Sequence, residues 1–260
     1  MDSTVFYALM LTVFAGLSTG IGSIAALFAK RQNTKFLAGS LGFSAGVMLY
    51  VSMVEMLSKA NTYLEASKGL VLGRIYSSIF FFLGIFFIAI IDFFVPSAEG
   101  DIGISKTNGE NRLKRMGLMT ALAISIHNFP EGLATFTSAL KDLHLGIFIA
   151  VAIAIHNIPE GIATSAPIYF SSGSRKKAFL ISFFSGMTEP LGAIIGYIIL
   201  RPFFSDFVFG ALFSSVAGIM VFISLEELLP MAREMENGRV TIIGAILGMI
   251  IMAASLILFL

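Results

Sequence analysis

A-I-S-I-H-N-F-P-E-G-L-A-T, residues 123–135, returns as A-I-A-I-H-N-I-P-E-G-I-A-T at 152–164, identical at ten of thirteen positions. Both copies lie inside apolar stretches long enough for membrane helices. Each puts His, Asn and Glu near mid-depth, where lipid-exposed polar groups would be costly and ionisable residues point to function. In each copy the His and the Glu stand four residues apart, His127 with Glu131 and His156 with Glu160, so they share one helix face. Asn128 and Asn157 fall three residues before the same Glu. Pro130 and Pro159 each free a carbonyl one turn below, at Ile126 and Ile155, which is tolerated at membrane depth only beside a partner or a polar cavity.

The remainder of the chain fits a bilayer. Of 260 residues, 57% are hydrophobic and 13% charged, with a mean hydropathy of +0.90. A soluble domain carries about 25% charged residues. A net charge of +1 gives no reason to expect a nucleic-acid partner, and the absence of Cys removes thiolate ligands. The chain starts M-D-S-T without a basic leader, so the first apolar stretch is expected to be retained.

A span needs about 20 apolar residues. Eight are predicted, at 4–29, 36–58, 71–95, 117–140, 144–170, 178–200, 204–231 and 240–260, making one all-α transmembrane domain over 1–260. The longest polar stretch, 96–116, reads as a flexible loop. Twelve Lys and Arg fall on the side holding the loops after spans 1, 3, 5 and 7, against five on the other. The positive-inside bias places 96–116 in the cytoplasm and both termini outside it.

A fainter repeat flanks the first. G-V-M-L-Y-V-S-M-V-E-M-L (46–57) aligns with G-I-M-V-F-I-S-L-E-E-L-L (218–229), and A-G-L-S-T-G-I-G-S (15–23) resembles S-G-M-T-E-P-L-G-A (185–193). Spans 1–2 therefore match spans 6–7 in opposite orientation, the inverted-topology repeat of many secondary transporters. Glu55 falls near the outer end of span 2, and Glu226 and Glu227 near the inner end of span 7. They are candidates for the two mouths of a pathway, although such acids also snorkel or cap.

Span 6 adds Glu189 before Pro190, again at mid-depth. The candidate cluster is His127, Asn128, Glu131, His156, Asn157, Glu160 and Glu189. Two imidazoles and three carboxylates suit Zn²⁺, Fe²⁺, Mn²⁺ or Co²⁺ better than a hard all-oxygen ion. Met48 could add a thioether, or could simply fill the core. One His–Glu pair would serve equally well as a polar network locking helices; the near-identical second copy and the third Glu favour a binding site. His144, near the outer end of span 5, is assigned no role.

At these residues the chain resembles the ZIP family of divalent-metal transporters, and within it the bacterial ZupT/GufA-like branch. The resemblance covers nearly the whole chain: eight spans, H-N-F-P-E-G, H-N-I-P-E-G, the Glu of span 6 and I-S-L-E-E-L-L-P in span 7. It implies a 3+2+3 fold, with spans 1–3 and 6–8 as inverted repeats around spans 4 and 5. It also implies a binuclear site. One metal would use His127, Glu131, His156 and Glu160, with Met48 as an extra ligand. The second would use Asn128, Asn157 and Glu189, with Glu160 and Glu131 bridging. Family members move metal into the cytoplasm, many are homodimers, and the favoured picture is one helix group sliding against the other. The chain departs from the family in two ways. Residues 96–116 contain no His, unlike the His-rich loop of many eukaryotic members, and Asn157 stands where some members have Asp.

The expected function is transport of Zn²⁺, with Fe²⁺, Mn²⁺, Co²⁺ and Cd²⁺ as further substrates, across the plasma (inner) membrane, with no organic cofactor. A metal-gated channel or sensor would use the same ligands. An intramembrane metalloenzyme fits less well, because the chain has H-x-x-x-E twice and no H-E-x-x-H. No G-x-x-x-x-G-K-[ST] motif for ATP is present.

Overall fold

The computed structural model describes residues 3–28, 33–94, 106–141, 143–203, 205–236 and 238–258. Among these residues all regular structure is helical. The described residues run as eight rods. The first is α1 (Ser3–Leu27). The second joins α2 (Thr34–Tyr50), a π-helical segment (Val51–Met56) and α3 (Leu57–Lys68). The third, fourth and fifth are α4 (Leu70–Phe94), α5 (Lys106–Lys141) and α6 (Leu143–Ser172). The sixth joins α7 (Arg175–Gly186) to α8 (Thr188–Leu200), the seventh joins α9 (Asp206–Ile223), a π-helical segment (Ser224–Leu228) and α10 (Leu229–Met235), and the last is α11 (Gly238–Leu258).

Seven of the rods are long and apolar enough to cross a membrane by composition. The predicted span 117–140 lies within α5, which does not meet that test. The polar residues that make it interesting, from Thr120 through His127, Asn128 and Glu131 to Thr137, dilute its apolar content. The predicted loop is also shorter than expected. Residues 96–105 lie outside the described residues, and from Lys106 the chain is already helical. Once a helix is nucleated, each further residue costs little to add. Span 2, predicted to end at 58, continues through α3 to Lys68 and stops at Gly69, whose φ of 78° suits a residue without Cβ.

The rods sort into two bundles. α1 lies along α6, α5 along both α6 and α8, and α7 against α1 and α6. In the other bundle α2 lies along α11, and α9 lies along α4 and α3. Packing across the seam is lighter, chiefly α2 on α6 and α5 on α9. Within lipid, helices associate by close packing, and small residues let backbones approach. Among the described residues, the glycines that press on a neighbouring helix's backbone do so within a bundle and not across the seam.

These contacts carry the inverted repeat into three dimensions. A methyl group at Gly161 would strike the Thr19 carbonyl, and one at Gly22 the Ile158 carbonyl, where α1 meets α6. The mirror positions repeat this where α8 meets α5: Gly132 faces the Glu189 carbonyl and Gly192 the Phe129 carbonyl. In the second bundle Gly46 faces Ala245 and Gly248 faces Phe43, mirrored by Gly218 on Phe81 and Gly84 on Ser215. The π segments fall at matching places too. Ser52 donates to the Met48 carbonyl at 2.5 Å and Ser224 to the Met220 carbonyl at 2.8 Å, each four residues back.

Candidate functional site

The two H-N-x-P-E-G copies sit side by side on α5 and α6. His127, Asn128, Asn157, Glu160 and Glu189 are each 0% exposed and Glu131 is 2% exposed. His127 Nε2 lies 3.0 Å from Glu160 Oε1 on the neighbouring helix and 3.6 Å from Glu131 Oε2 on its own. The convergence expected of the two His–Glu faces is therefore met from the α5 side. The His156 side chain lies outside the described residues; its backbone is helical.

The asparagines are held in mirrored fashion. Asn157 Nδ2 donates to the Ala15 carbonyl at 3.0 Å, and Asn128 Nδ2 to the Ser185 carbonyl at 3.3 Å. Ala15 and Ser185 are matching positions of the flanking repeat. With their nitrogens committed to backbone, both asparagines keep a buried Oδ1 that makes no hydrogen bond, as does Glu160 Oε2. Buried oxygens of this kind are costly unless something meets them. Asn157 Nδ2 also donates to Glu189 Oε2 at 2.9 Å, so Glu189 of α8 joins the Asn side of the cluster.

Charge is the unusual feature of this site. Three carboxylates are buried, and among the described residues no Lys or Arg is fully buried. Isolated buried charges are strongly disfavoured unless paired, protonated or bound to a cation. His127 is the built-in partner. Its contacts with Glu131 and Glu160 use the nitrogen that a metal would need. Accordingly, among the described residues no three His, Asp or Glu side chains are arranged to cage an ion outright. The cluster is ligand chemistry folded onto itself, which a cation could open.

Met48 is fully buried in the apolar core, in one cluster with Ala163 of α6 and Met220, its mirror mate on α9. Glu55 lies in the first π segment, paired with Lys59 on its own rod at 2.7 Å. Glu226 is exposed in the second π segment, and Glu227 beside it lies 3.6 Å from Arg115 Nη1. His144 is exposed. Sequence reasoning did not single out Ser44, Arg115 or Asp92. Ser44 Oγ crosses the seam from α2 to donate to the Pro159 carbonyl at 2.7 Å. Nothing in the local pattern of 44 distinguishes it from a small packing residue.

An all-helical, multi-pass protein with inverted halves and imidazole, amide and carboxylate groups buried between its helices is built as a membrane transporter. The comparisons agree. Residues 100–256 match the family model described as ZIP Zinc transporter, and the chain belongs to the ZIP family. It is 53% identical, over the full length of both chains, to the zinc transporter ZupT of Chlorobium chlorochromatii (strain CaD3). It is 55% identical, again over both full lengths, to the zinc transporter ZupT of Streptococcus mutans. It is 53% identical to that of Clostridium perfringens, covering 99% of this chain and 97% of the relative. The family is one of transporters, not of enzymes.

Proposed function

We propose that this chain carries Zn²⁺ across the plasma (inner) membrane into the cytoplasm through the buried His–Asn–Glu cluster. Fe²⁺, Mn²⁺, Co²⁺ and Cd²⁺ share the ligand preferences and are further substrates. The observation that carries this reading is the concentration of His127, Glu131, Glu160 and Glu189 in a buried interior, beside the Oδ1 atoms of Asn128 and Asn157 and the Oε2 of Glu160, which make no hydrogen bond. One metal takes His127, Glu131, Glu160 and His156, with Met48 as a possible thioether ligand. A second takes Asn128 and Asn157 through Oδ1, with Glu189, and the bridging Glu160 and Glu131. An arriving cation separates His127 from its carboxylates, so binding and protonation are coupled.

The smooth seam between the bundles supports transport by one bundle moving against the other, with the cluster riding on α5, α6 and α8. Lys and Arg asymmetry supports a cytoplasmic position for the inner mouth and outward termini. A membrane potential favours entry of a divalent cation by about 4.6 kcal/mol per 100 mV, twice the single-charge value. Two copies of the chain form the working unit in this reading.

Uptake of ⁶⁵Zn into proteoliposomes tests the site. Glu131→Ala and Glu160→Ala are each expected to remove nearly all flux while leaving the protein monodisperse in detergent. Flux equal to the parent's in either variant would refute the central site. Uptake that saturates and slows steeply on cooling distinguishes a carrier from a channel.

A further inference from the structure

Arg115 stands near the start of the membrane-buried part of α5, and its guanidinium reaches across the seam. Nη2 donates to Asp92 Oδ1 at 2.7 Å and to the Asp92 carbonyl at 3.4 Å. Nη1 lies 3.6 Å from Glu227 Oε1. Asp92 ends α4 and Glu227 lies in the second π segment, so both acids belong to the bundle that does not contain α5. The three side chains are mostly buried, with 22%, 23% and 11% exposed for Arg115, Asp92 and Glu227.

The pairing has the form of a releasable clasp. A guanidinium frequently presents two parallel N–H groups to one carboxylate. Here the fork is divided between two acids on two elements, and its Nε is buried without a hydrogen bond. Arginine stays charged at any physiological pH, so proton loss cannot open the clasp; a competing cation can. Among the described residues, the seam it spans lacks the glycine-to-backbone contacts that lock each bundle internally. The mirror acid Glu55 offers the contrast: its partner Lys59 is on its own rod, so that contact ties nothing across the seam.

We propose that Arg115 is the latch of the inner mouth. While it bridges Asp92 and Glu227, the α5 bundle is held against the other and the exit is shut. A divalent cation leaving the central cluster takes over the two carboxylates, displaces the guanidinium and frees the bundles to part. This role rests on the transport reading above.

The chain has no cysteine, so a single introduced thiol is a clean reporter. Ser224→Cys places one at a fully buried position of the second π segment. Inside-out vesicles are treated with a membrane-impermeant methanethiosulfonate. Labelling is expected to be slow, and to rise about tenfold or more with Arg115→Gln added, in line with loss of a charge-assisted hydrogen bond. Zn²⁺ alone, in the background that retains Arg115, should speed labelling likewise. Equal rates with and without Arg115, or no response to Zn²⁺, would overturn the latch. If Arg115→Gln folds poorly, Arg115→Gln with Asp92→Asn rebalances charge. Restored monodispersity with fast labelling supports the latch, and restored slow labelling reduces the pair to structural compensation and refutes it. ⁶⁵Zn uptake by the protein carrying Arg115, on the same vesicles, separates the two ideas. No uptake there defeats the transport reading, and uptake with unchanged labelling defeats the latch alone.

Discussion

Gly161 rests on the carbonyl of Thr19, and its mirror mate Gly132 rests on the carbonyl of Glu189. The backbones of the two halves meet in the same register, yet one half offers a hydroxyl where the other offers a carboxylate. The mirrored acids Glu55 and Glu227 differ in the same way. Glu55 is held by Lys59 of its own rod, whereas Glu227 faces an arginine of the opposite bundle. Helix packing tolerates little change in contact geometry, because a shift at one carbonyl propagates along the rod. Charges at a polar site are freer to differ. The duplicated frame therefore fixes the backbone register, and the departures from symmetry lie in the charges it carries.

The largest expected effect tests the frame. Gly161→Ala and Gly132→Ala each force a methyl onto a backbone carbonyl, and overpacking of this kind costs about 1–3 kcal/mol or more. Both are expected to lose most folded protein by size-exclusion chromatography, to the same degree. If only one is tolerated, the halves are not equivalent in packing. Next comes the central asymmetry. Glu189→Thr, which copies the first half's residue into the second, should lower ⁶⁵Zn uptake by roughly 10- to 100-fold, the range for losing a member of a buried polar set. Thr19→Ala should stay within about threefold, because at that position the hydroxyl is not asked to hold charge. Comparable losses in both would mean that the site is more symmetric than its charges.

A smaller contrast lies at the mouths. Glu55→Gln should change uptake by about twofold, in keeping with the few tenths of a kcal/mol typical of an i,i+4 helix pair. Glu227→Gln should do distinctly more, with altered saturation by internal Zn²⁺. Smallest are Ser52→Ala and Ser224→Ala, which remove matched back-bonds to Met48 and Met220. Each should move the melting temperature by a few degrees or less, and by the same amount. Unequal shifts would show that the two π segments serve different ends.

Much of this was legible in the sequence because membrane helices write their rules plainly. Apolar runs marked where the rods lie but not all of their ends: α5 is helical from Lys106 rather than 117, and the second rod runs to Lys68 rather than 58. The H-N-x-P-E-G copies drew attention to His127, Asn128, Glu131, Asn157 and Glu160, which α5 and α6 bury together. The match of 15–23 with 185–193 already contained Thr19 opposite Glu189 and Ala15 opposite Ser185, the carbonyls that hold the two asparagines. Less legible was anything depending on which rods become neighbours. Arg115 counted as one cytoplasmic positive charge among twelve; its partners Asp92 and Glu227 come from distant rods that only tertiary packing unites. Ser44 is silent for the same reason. The π segments were hidden because an added residue in a helical turn leaves no compositional trace, though the shared V-S-M-V-E-M and I-S-L-E-E-L patterns mark where both fall.

The partner of α2 is α11, so the face bearing Gly42 and Gly46 waits for Thr241 and Ala245, near the very end of the chain. At a synthesis rate of about 5–20 residues per second, that face stays uncovered for on the order of ten seconds or more during insertion. The α2 face cannot be covered before α11 leaves the ribosome. Covering this face thus awaits α11, and a protein stopped short at Met235 would strand a glycine-lined surface open to lipid and to other unfinished chains.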